Sequence, residues 1–524
     1  MKINFSNISQ QFAESFGARQ AIVNIERDRR YTYAEFHLLT NRIVNMMHAA
    51  LELRRGDFWI NMLENDNLAL LHWFTAMKGE ATAAYTNYRD SLEVHSAQID
   101  QVKPKVAFVE AALLRTHHAM LRERGITVVC MDPPGAEFPD VLDFWQLVNA
   151  ASQENPNVEH DDRDDLLIVR FTGGTTGQGK CAMYNADNMQ MCKDSFYMLA
   201  DPVFDDQSRV LHIAPLSHGS GMMFIAAQFK GCCNVTMNQP DLSAWCRHIA
   251  EERISVAFAV PTLLYRLLEM PPAQTAPLSS LKTMFYGAAP MSPGKLKDLQ
   301  ALLGNIFLQV YGATEHLGVA ASMGTAEHLF DNGADAHLAS AGRATPGVEV
   351  QIMDTHGNPV AQGERGEIWL RSRAICTGYY NNPQQTAEEF HDGYWKSGDI
   401  GRLDENGFVY IVDRKKDMII TGGFNVYANE VEAVINAHPA VSMSAVVGIP
   451  HEDWGEAILA EVVIKPGQTL ATEALKQHVK EQLGSYKTPK QVVIVDTLPL
   501  SVVGKVLRRQ VREKYFQDHF RKVN

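Results

Sequence analysis

Short apolar runs alternate with amphipathic stretches over most of the chain. The apolar runs predict buried strands at 106–109, 126–130, 166–171, 210–213 and 256–260. Between these strands, apolar residues at helical spacing predict helices over 33–51 and 293–303. Because strands and helices alternate, the pattern is typical of a layered α/β fold with mostly buried sheets.

The pattern changes over residues 343–412. Gly and Asn turns separate short stretches of alternating apolar and polar residues there, as at 348–353 and 367–371. Strict alternation between turns indicates strands with one buried face. We therefore predict an antiparallel β region that follows the α/β layers.

A charged run at residues 413–417 indicates a domain boundary. The remaining segment has a domain's usual size, and its pattern predicts, in order, a helix, two strands, a helix, a strand and a last helix: 428–436, 441–448, 457–464, 472–483, 491–495 and the C-terminal end. We predict an N-terminal domain over 1–413, a hinge over 414–417 and a small mobile α+β domain over 418–524. Two domains joined in this way often bind a ligand in their cleft.

Composition excludes several classes of protein. The 524 residues are too many for one ordinary core, and the net charge of −13 argues against nucleic acid as the main partner. The start, MKINFSNISQ, lacks a signal-peptide pattern, and the sequence contains no apolar run of the ~20 residues that span a bilayer. The seven cysteines, with Cys232 and Cys233 adjacent, lack metal-ligand spacing and are typical of reduced core thiols. We expect a soluble cytoplasmic enzyme or binding protein.

A glycine- and threonine-rich segment, TGGTTGQGK at residues 172–180, directly follows the strand predicted at 166–171. Its four glycines let backbone N–H groups point toward one ligand, and the hydroxyls and Lys180 add further donors, which suits a polyphosphate. Residues 174–181 nearly match the P-loop pattern, but Cys181 stands where Mg²⁺ needs a hydroxyl. We therefore disfavour a P-loop NTPase; the alternative to phosphate binding is a plain surface turn.

This segment resembles the signature loop of the ANL superfamily, which contains acyl-CoA synthetases, peptide-synthetase adenylation domains and luciferases. The usual form is close to Y-T-S-G-T-T-G-x-P-K-G; here Gly173, Gly179 and Cys181 replace Ser, Pro and Gly. The resemblance implies a large multi-layer domain with two α/β sheets and a β-barrel-like region, followed by a small domain. It also implies phosphate contacts, with Thr175 catalytic, from Thr172, Gly173, Gly174, Thr175, Thr176, Gly177 and Lys180.

Two further segments match the superfamily. Residues 311–315, YGATE, correspond to Y-G-x-T-E, which implies that Tyr311 and Gly312 lie at adenine, Thr314 near a phosphate and Glu315 at Mg²⁺. A flat ring, a hydroxyl and a carboxylate are suited to those three partners. Residues 286–290 resemble the preceding loop, whose backbone at Gly287, Ala288 and Ala289 passes adenine and the acyl group. On residues alone, a core Tyr, a solvated Glu and an ordinary strand-to-helix turn are the alternatives.

A hairpin places two charges opposite each other. Asn406-Gly407 is a strong two-residue turn that pairs residue 405 with 408. Counting outward without a bulge, Asp399 then faces Arg414. The simplest interpretation is a cross-strand ion pair of ~0.2–1 kcal/mol; the resemblance implies instead that both side chains hold the ribose hydroxyls. It also implies that Lys416 is the hinge residue.

Residues 498–505 match the superfamily's L-P-x-x-x-x-G-K. Leu507, Val511 and Tyr515 follow at helical spacing, so Lys505 is predicted at a helix start, where the helix dipole disfavours a cation by roughly 0.3–1 kcal/mol. The resemblance implies that Lys505 bridges the substrate carboxylate and the α-phosphate. A cation between two anions lowers the barrier to their reaction.

His218 lies in the glycine-rich segment 215–221. It matches a pocket-side histidine of acyl-CoA synthetases that acts as a gate more than as a base, and a structural histidine is the alternative. Ser220 lacks the G-x-S-x-G context of a serine hydrolase, and the sequence contains neither H-E-x-x-H nor C-x-x-C for zinc.

The resemblance also implies a site for coenzyme A. Gly422 aligns with a tunnel glycine whose missing side chain admits the pantetheine arm. Trp454, Tyr486 and Lys490 lie where some relatives hold the nucleotide end of coenzyme A, with packed surface aromatics as an equal alternative.

Residues 222–225, MMFI, indicate either an apolar tunnel or ordinary core, and residues 218–229 contain no carboxylate that could hold an amino acid's ammonium. We therefore expect an AMP-forming acyl-CoA ligase that uses ATP, Mg²⁺ and coenzyme A on an apolar fatty, cyclic or aryl acid. The closest alternative is a stand-alone adenylating enzyme that loads an acyl carrier protein. A luciferase-type oxygenase and a non-catalytic nucleotide-binding protein are more distant, and a homodimer is left open.

Overall fold

The structure is a computed structural model, and it describes residues 1–172, 179–271, 275–329, 335–501 and 505–520. Six residues of the predicted phosphate loop, 173–178, lie outside the described residues, and they include five predicted site residues: Gly173, Gly174, Thr175, Thr176 and Gly177.

The helices are amphipathic or buried, and several begin at a capping side chain. Helix α2 begins after Thr32, whose hydroxyl accepts from the N–H of Glu35 while the Glu35 carboxylate accepts from the Thr32 N–H. The helices are α1 Phe5–Phe16, α2 Tyr33–Ala49, α3 Asn65–Leu70, α4 Trp73–Lys78, α5 Leu92–Val102, α6 Ala111–Glu123, α7 Phe144–Ala150, α8 Ala186–Tyr197, α9 Gly219–Phe229, α10 Leu242–Glu251, α11 Pro261–Leu267, α12 Pro293–Leu303, α13 Pro383–Glu389, α14 Ala428–Ala437, α15 Thr472–Leu483 and α16 Arg508–Phe520.

The strands are short in the first two thirds of the chain and longer toward its end. They are β1 Lys2–Ile3, β2 Gln20–Asn24, β3 Arg29–Thr32, β4 Phe58–Met62, β5 Thr82–Tyr85, β6 Val106–Val109, β7 Thr127–Cys130, β8 Leu142–Asp143, β9 His160–Asp161, β10 Ile168–Phe171, β11 Cys181–Tyr184, β12 Arg209–His212, β13 Cys233–Thr236, β14 Val256–Ala259, β15 Thr283–Gly287, β16 Phe307–Tyr311, β17 Ala321–Met323, β18 Arg343–Ala344, β19 Glu349–Met353, β20 Gly366–Arg371, β21 Phe390–His391, β22 Tyr394–Leu403, β23 Val409–Arg414, β24 Ile419–Thr421, β25 Phe424–Val426, β26 Val441–His451, β27 Gly455–Ile464 and β28 Gln491–Ile494.

Two large, mostly parallel sheets form the α/β part. One has the order β11-β10-β5-β4-β6-β7-β8, and the other the order β18-β17-β16-β15-β14-β12-β13-β2-β3. A single hydrophobic core contains side chains of both, including Phe108 and Ile168 of the first and Val210 and Phe285 of the second. In such sheets, ligands bind beyond the carboxyl ends of the strands. The segments 172–180, 287–289 and 311–315 begin at or follow the ends of β10, β15 and β16.

The predicted antiparallel region is confirmed. Strands β19 to β23 form one antiparallel sheet of order β19-β20-β22-β21, with β23 paired to β22. Its apolar faces form a small core that includes Ile352, Ile368 and Val409.

The last part of the chain folds around its own sheet. Strands β24 to β28 form it, with β26 and β27 as a long antiparallel hairpin, and α14 and α15 pack on it through Val431, Ile435, Leu475 and Val479. The element types and order predicted after residue 417 are confirmed.

All seven cysteines are buried and unpaired, as predicted for core thiols. Among the residues that the structure describes, no helix combines the length and the apolar character needed to cross a bilayer.

Candidate functional site

Asp399, Arg414 and Tyr311 meet where the antiparallel region joins the second large sheet. The Arg414 Nε lies 2.7 Å from Asp399 Oδ1, and the Tyr311 hydroxyl donates to Asp399 Oδ2 at 2.6 Å. Asp399 is only 4% exposed, whereas half of the Arg414 side chain is exposed. Burial, followed by the nearby Asp399 charge, raises the pKa of Tyr311 well above its usual value, so its hydroxyl remains a donor. We call this cluster the nucleotide corner.

The predicted pairing of Asp399 with Arg414 is confirmed, although the turn behind it differs. Leu403 pairs with Val409, and the N–H of Asp404 donates to the Phe408 carbonyl, so the loop holds three residues and Gly407 adopts φ +79°. Three-residue hairpin loops ending in a left-handed residue are a standard type. Between the pairs of residues 400 and 401 the register shifts by one, because Val412 forms a bulge. The third loop residue shifts the pairing by one position and the bulge shifts it back, so Asp399 still faces Arg414.

The Lys180 ammonium lies among side chains that are distant from it along the chain. Its Nζ donates to Glu389 Oε1 at 2.7 Å and to the Tyr379 hydroxyl at 3.2 Å, and it lies 3.7 Å from Glu315 Oε1. The N–H of Thr172 donates to the Lys180 carbonyl at 2.8 Å, which closes the base of the phosphate loop. Two carboxylates therefore face the lysine expected to meet phosphate.

Glu315 is a buried carboxylate beside Tyr379 and Lys180. It is 7% exposed, and its Oε1 lies 3.0 Å from the Tyr379 hydroxyl. Mg²⁺ usually takes one or two carboxylates together with phosphate oxygens and water. Among the described residues no group of three or more His, Cys, Asp or Glu could hold a metal by itself. Glu315, with Glu389 nearby, therefore fits a magnesium ion that the nucleotide phosphates also bind, and does not fit an all-protein metal site.

The loops expected at adenine show backbone that only small residues allow. A Cβ at Gly287 would lie 2.2 Å from the Val310 carbonyl oxygen, and one at Gly312 would lie 2.4 Å from the Gly318 carbonyl oxygen. Ala288 adopts φ +66°, a left-handed conformation that costs an L-residue roughly 1–2 kcal/mol, and Ala289 follows it. Strained backbone of this kind concentrates at functional sites.

Thr314 contributes its backbone to the large domain, since its carbonyl accepts a hydrogen bond from the Tyr184 hydroxyl. Its side chain is half-buried, between Tyr311 and Glu315 along the chain. Lys416 lies in a short 3-10 turn, Lys415–Asp417, directly after β23.

Lys505 is not at a helix start, and this prediction was wrong. Helix α16 begins at Arg508; before it, Leu500 and Val506 form a β-bridge, and the Ser501 N–H donates to the Lys505 carbonyl at 2.7 Å. Lys505 therefore lies before α16 and next to a bridged residue, where the dipole of α16 has little effect because that effect is confined to the first turn. Backbone hydrogen bonds join residues 499 and 501 to residues 507 and 505, so the helix begins only after them, at Arg508.

The charges of the nucleotide corner act on the Lys505 ammonium. Burial, and next the charge of Arg414, lower its pKa to about 8, while Asp399 opposes the shift. Within the described ranges, whose gap at 502–504 adjoins it, the Lys505 Nζ forms no hydrogen bond or ion pair.

His218 directly precedes α9, at the N-cap position. Its Nδ1 is 3.0 Å from the Ser217 hydroxyl. Burial, then the charges of Arg170 and Lys505, lower the pKa of His218 to about 3. A general base works best with a pKa near the working pH. His218 is neutral at physiological pH and suits a wall or gate better than a base.

Sequence reasoning missed Tyr379, Glu389 and Arg170. Tyr379 and Glu389 are far from residue 180 along the chain, and no local pattern links them to it. Arg170 did carry a signal, since it is a lone charge inside the apolar strand β10. It is 3% exposed, and its Nε and Nη2 both donate to the Ser217 carbonyl, at 3.2 and 3.0 Å.

The residues expected at coenzyme A gather on one face of the C-terminal sheet. Trp454 and Tyr486 are 38% and 44% exposed. The Lys490 Nζ lies 4.8 Å from the centre of the Trp454 ring, and a Cβ at Gly422 would lie 3.7 Å from that ring. Tyr486 instead packs on Phe424, at 5.2 Å between ring centres.

Residues 222–225 all belong to the core shared by the two large sheets, where Met222, Met223, Phe224 and Ile225 are at most 9% exposed. This packing agrees with the core interpretation of these four residues.

Comparisons with known proteins agree with this geometry. The family model described as AMP-binding enzyme matches residues 9–380, and the model of its C-terminal domain matches residues 430–505. The chain therefore belongs to the AMP-binding enzyme family, within the ANL superfamily of adenylate-forming enzymes.

Among curated proteins, the chain is 36% identical to the medium/long-chain-fatty-acid–CoA ligase FadD8 of Mycobacterium tuberculosis, over 80% of this chain and 74% of that one. It is 31% identical to the 3-[(3aS,4S,7aS)-7a-methyl-1,5-dioxo-octahydro-1H-inden-4-yl]propanoyl:CoA ligase of Rhodococcus jostii, over 96% and 97%.

Among solved structures, ATP-bound MatB from Rhodopseudomonas palustris is 27% identical and superposes with a TM-score of 0.85, covering 98% of this chain and 99% of that one. The apo form of MatB superposes with a TM-score of 0.74, covering 99% and 100%.

Proposed function

We propose that this chain is an AMP-forming carboxylic acid:coenzyme A ligase. One observation carries the proposal: Arg414 and Tyr311 bind the two oxygens of the buried Asp399 carboxylate in the nucleotide corner, and the charges of Arg414 and Asp399 act on the Lys505 ammonium. A cation beside the place for a nucleotide is where a carboxylate can meet an α-phosphate. Named relatives with this family's domains are coenzyme A ligases, which supports the same activity.

The reaction has two halves. In the first, a carboxylate oxygen of the acid attacks the α-phosphorus of ATP, the bond to the β-phosphate oxygen breaks, and pyrophosphate leaves. In the second, the thiolate of coenzyme A attacks the acyl carbon, and AMP leaves with the electrons of the acyl–oxygen bond. No covalent bond to the enzyme is required.

The nucleotide corner positions the ribose. Each Asp399 oxygen has one protein donor, so each retains capacity to accept a ribose hydroxyl proton, and the half-exposed Arg414 guanidinium can donate back. The hydrogen bond from the Tyr311 hydroxyl to Asp399 fixes the orientation of the Tyr311 ring. We expect adenine to stack on that ring.

The phosphates bind at the segment of residues 172–180, which ends in Lys180. Lys180 exchanges its carboxylate partners for phosphate oxygens when nucleotide binds. A magnesium ion held by Glu315 would supply positive charge at the phosphates. Lys505 holds the acid's carboxylate against the α-phosphate, since two anions approach only when positive charge lies between them.

We also propose a domain boundary, with one domain over 1–413, a hinge over 414–417 and a mobile domain over 418–524. In the described part of the chain, no hydrophobic core cluster contains residues from both sides of the hinge. The higher TM-score with ATP-bound than with apo MatB supports an arrangement suited to the first half-reaction.

Coenzyme A is the proposed thiol, and Gly422, Trp454, Tyr486 and Lys490 its proposed contacts. Their exposed face combines aromatic rings for the adenine with a cation for phosphate. An acyl carrier protein remains the alternative acceptor. Named relatives take acids from fatty chains to a dioxo-octahydroindenyl propanoate, which supports an acid with a mainly apolar body.

The test is a panel of acids assayed for AMP release, with and without coenzyme A. We expect AMP release that needs an acid and that accelerates with coenzyme A. Isolated acyl-adenylate offered to coenzyme A and to a carrier protein in competition should yield the coenzyme A thioester. A chain that forms no AMP with any acid would contradict the proposal, and a preference for the carrier would favour the alternative.

A further inference from the structure

Three touching residues in the core beside His218 hold polar atoms without partners. They are Arg170 on β10 together with His72 and Trp73, which come just before and at the start of α4. The Arg170 guanidinium lies 5.0 Å from the centre of the Trp73 ring, and the His72 ring stacks on Trp73 at 4.8 Å between centres. Arg170 and His72 are 3% and 1% exposed, and Trp73 is fully buried. We call these three residues the buried polar cluster.

The unpartnered atoms are specific. In the described part of the chain, the Arg170 Nη1, both ring nitrogens of His72 and the Trp73 Nε1 have no hydrogen-bond partner. The other Arg170 nitrogens share one acceptor, the Ser217 carbonyl. Burial lowers the pKa of Arg170, while the Tyr184 hydroxyl and the Glu315 carboxylate oppose that shift. Buried polar atoms in native proteins nearly always find partners, so each orphan needs an explanation.

A neighbouring histidine shows that the core can satisfy such groups where their role is structural. His212 is fully buried too, but its Nδ1 lies 2.8 Å from the Ser220 hydroxyl and its Nε2 lies 2.8 Å from Asn234 Oδ1. The core beside it therefore supplies polar partners to one imidazole and leaves the other without them.

Among the described residues no carboxylate forms a direct ion pair with Arg170, although the charge of Glu315 acts on it. A buried charge without a directly paired counter-ion is strongly destabilising. Natural cores keep such a charge where a ligand completes it. The ligand must bring an oxygen that accepts from Nη1, because a guanidinium has five donors and no acceptor.

The cluster adjoins the wall assigned to the acyl pocket. Arg170 holds the Ser217 carbonyl, and Ser217 precedes His218. On the other side, a Cβ at Gly221 would lie 2.9 Å from the His72 Nε2, so the absence of a side chain there brings the loop against the imidazole. Burial lowers the pKa values of both His72 and His218, and the Arg170 charge lowers both further.

We propose that the buried polar cluster binds an oxygen acceptor on the acyl part of the substrate, so that the preferred acid has an otherwise apolar body carrying a ketone or a second carboxylate. The inference rests on the proposed ligase function, because it concerns the acid that the same site activates. The Arg170 Nη1 donates to this oxygen, and His72 lies beside it as a second donor. Arg170 is thus a specificity-determining residue.

The experiment compares acids of one chain length. Octanoate is assayed against oxooctanoates with the ketone at successive carbons and against octanedioate, by AMP release. Wild-type protein should prefer at least one acceptor-bearing acid over octanoate, by up to about 10⁴-fold in kcat/KM, since a site built around a polar group rejects analogues that lack it. The ketones and the diacid separate a neutral acceptor from an anionic one.

Arg170→Met should remove this preference, because kcat/KM should fall further on the acceptor-bearing acids than on octanoate, with the KM for ATP unchanged. Arg170→Met should also raise the melting temperature of ligand-free protein, because it removes a buried charge that lacks a directly paired counter-ion. Val169→Ile, on the neighbouring residue of β10, is the matched control for the preference among acids and should leave it unchanged, whereas the methylene added to the core there should lower the melting temperature. Arg170→Lys, which keeps the charge but loses the planar fork, should keep part of the preference.

Two results would overturn the inference. An equal loss of activity on all acids in Arg170→Met would mean that the charge acts on the reacting groups instead. Wild-type protein that does not discriminate among the acids would mean that the orphan atoms bind internal water only. Failure of wild-type protein to release AMP with any acid would overturn the proposed function itself, which is a separate outcome.

Discussion

The nucleotide corner and the acyl end of the site differ in how far their polar groups are already satisfied. In the corner, both oxygens of Asp399 have donors, from Arg414 and Tyr311. At the acyl end, the Lys505 ammonium and the Arg170 Nη1 have no partner among the described residues. The corner is preorganised by hydrogen bonds within the protein, whereas we expect the polar groups of the acyl end to gain partners when a ligand binds.

This difference suggests that the corner serves nucleotide binding and that the acyl end serves the reaction. A preorganised corner costs little reorganisation when nucleotide arrives, which favours affinity. Unpaired cations at the acyl end interact most strongly where negative charge gathers, which favours the reaction of two anions. Changes in the corner should therefore affect the KM for ATP, and changes at the acyl end should affect rate and choice of acid.

The largest expected effect is that of Lys505→Ala. The acid-dependent formation of acyl-adenylate should fall by about 10²–10³-fold in kcat, because the cation between the two anions is lost. Thioester formation from supplied acyl-adenylate should be largely kept, since no α-phosphate is attacked in that step. Single-turnover assays of each half-reaction measure the two effects. An equal loss in both halves would contradict this division.

Asp399→Ala should have the next largest effect. The KM for ATP should rise by about 10–100-fold, because charge-assisted hydrogen bonds of 1.5–3 kcal/mol to the ribose are lost. Initial rates at varied ATP measure this effect. Glu405→Ala is the control, since Glu405 is exposed in the loop of the same hairpin. An unchanged ATP dependence in Asp399→Ala would remove this residue from the site.

The rate of adenylation should depend on pH through Lys505. Its pKa is lowered to about 8, so the ammonium is present below that pH and is lost as pH rises through it. Between pH 7 and pH 9 the rate should fall about tenfold, as a group of that pKa titrates. The charged or titratable groups that face Lys505 are Arg414, Asp399 and His218, and His218, with its pKa of about 3, stays neutral over this range.

The control for this profile is Lys505→Arg, whose guanidinium stays charged throughout. Any adenylation that Lys505→Arg retains should show no fall between pH 7 and pH 9. The same fall in that variant would assign the titration to another group.

Glu389→Gln should have the smallest effect. Its carboxylate pairs with the Lys180 Nζ at 2.7 Å and competes with phosphate for that lysine. Neutralising it should lower the KM for ATP about threefold, in line with a partly exposed pair worth ~0.2–1 kcal/mol. Glu388→Gln, on an exposed neighbour, should leave the KM unchanged. A raised KM in Glu389→Gln would show that Glu389 positions Lys180 for phosphate.

Much of the fold could be predicted, because it depends on local periodicity. Strand β6 and helices α12 and α15 have the predicted bounds, and the elements after residue 417 follow the predicted order. The face-to-face position of Asp399 and Arg414 was also predicted, although a three-residue loop and a bulge at Val412 replaced the assumed two-residue turn. Bulges arise from packing on the neighbouring sheet, which periodicity does not record.

The rest depends on contacts distant in sequence. Glu389 reaches Lys180 across two hundred residues of chain, so no spacing could link them. The apolar neighbours of Arg170 concealed it, since a strand is identified by its majority pattern. For Lys505, the helical spacing downstream concealed the β-bridge that forms just before α16.

The most direct test of the account is the exchange of labelled pyrophosphate into ATP, measured with and without an organic acid and in the absence of coenzyme A. Adenylation is reversible and needs no thiol, so the account predicts exchange that requires an acid and is abolished in Lys505→Ala. Exchange that proceeds without any acid, or that survives in Lys505→Ala at the wild-type rate, would contradict it.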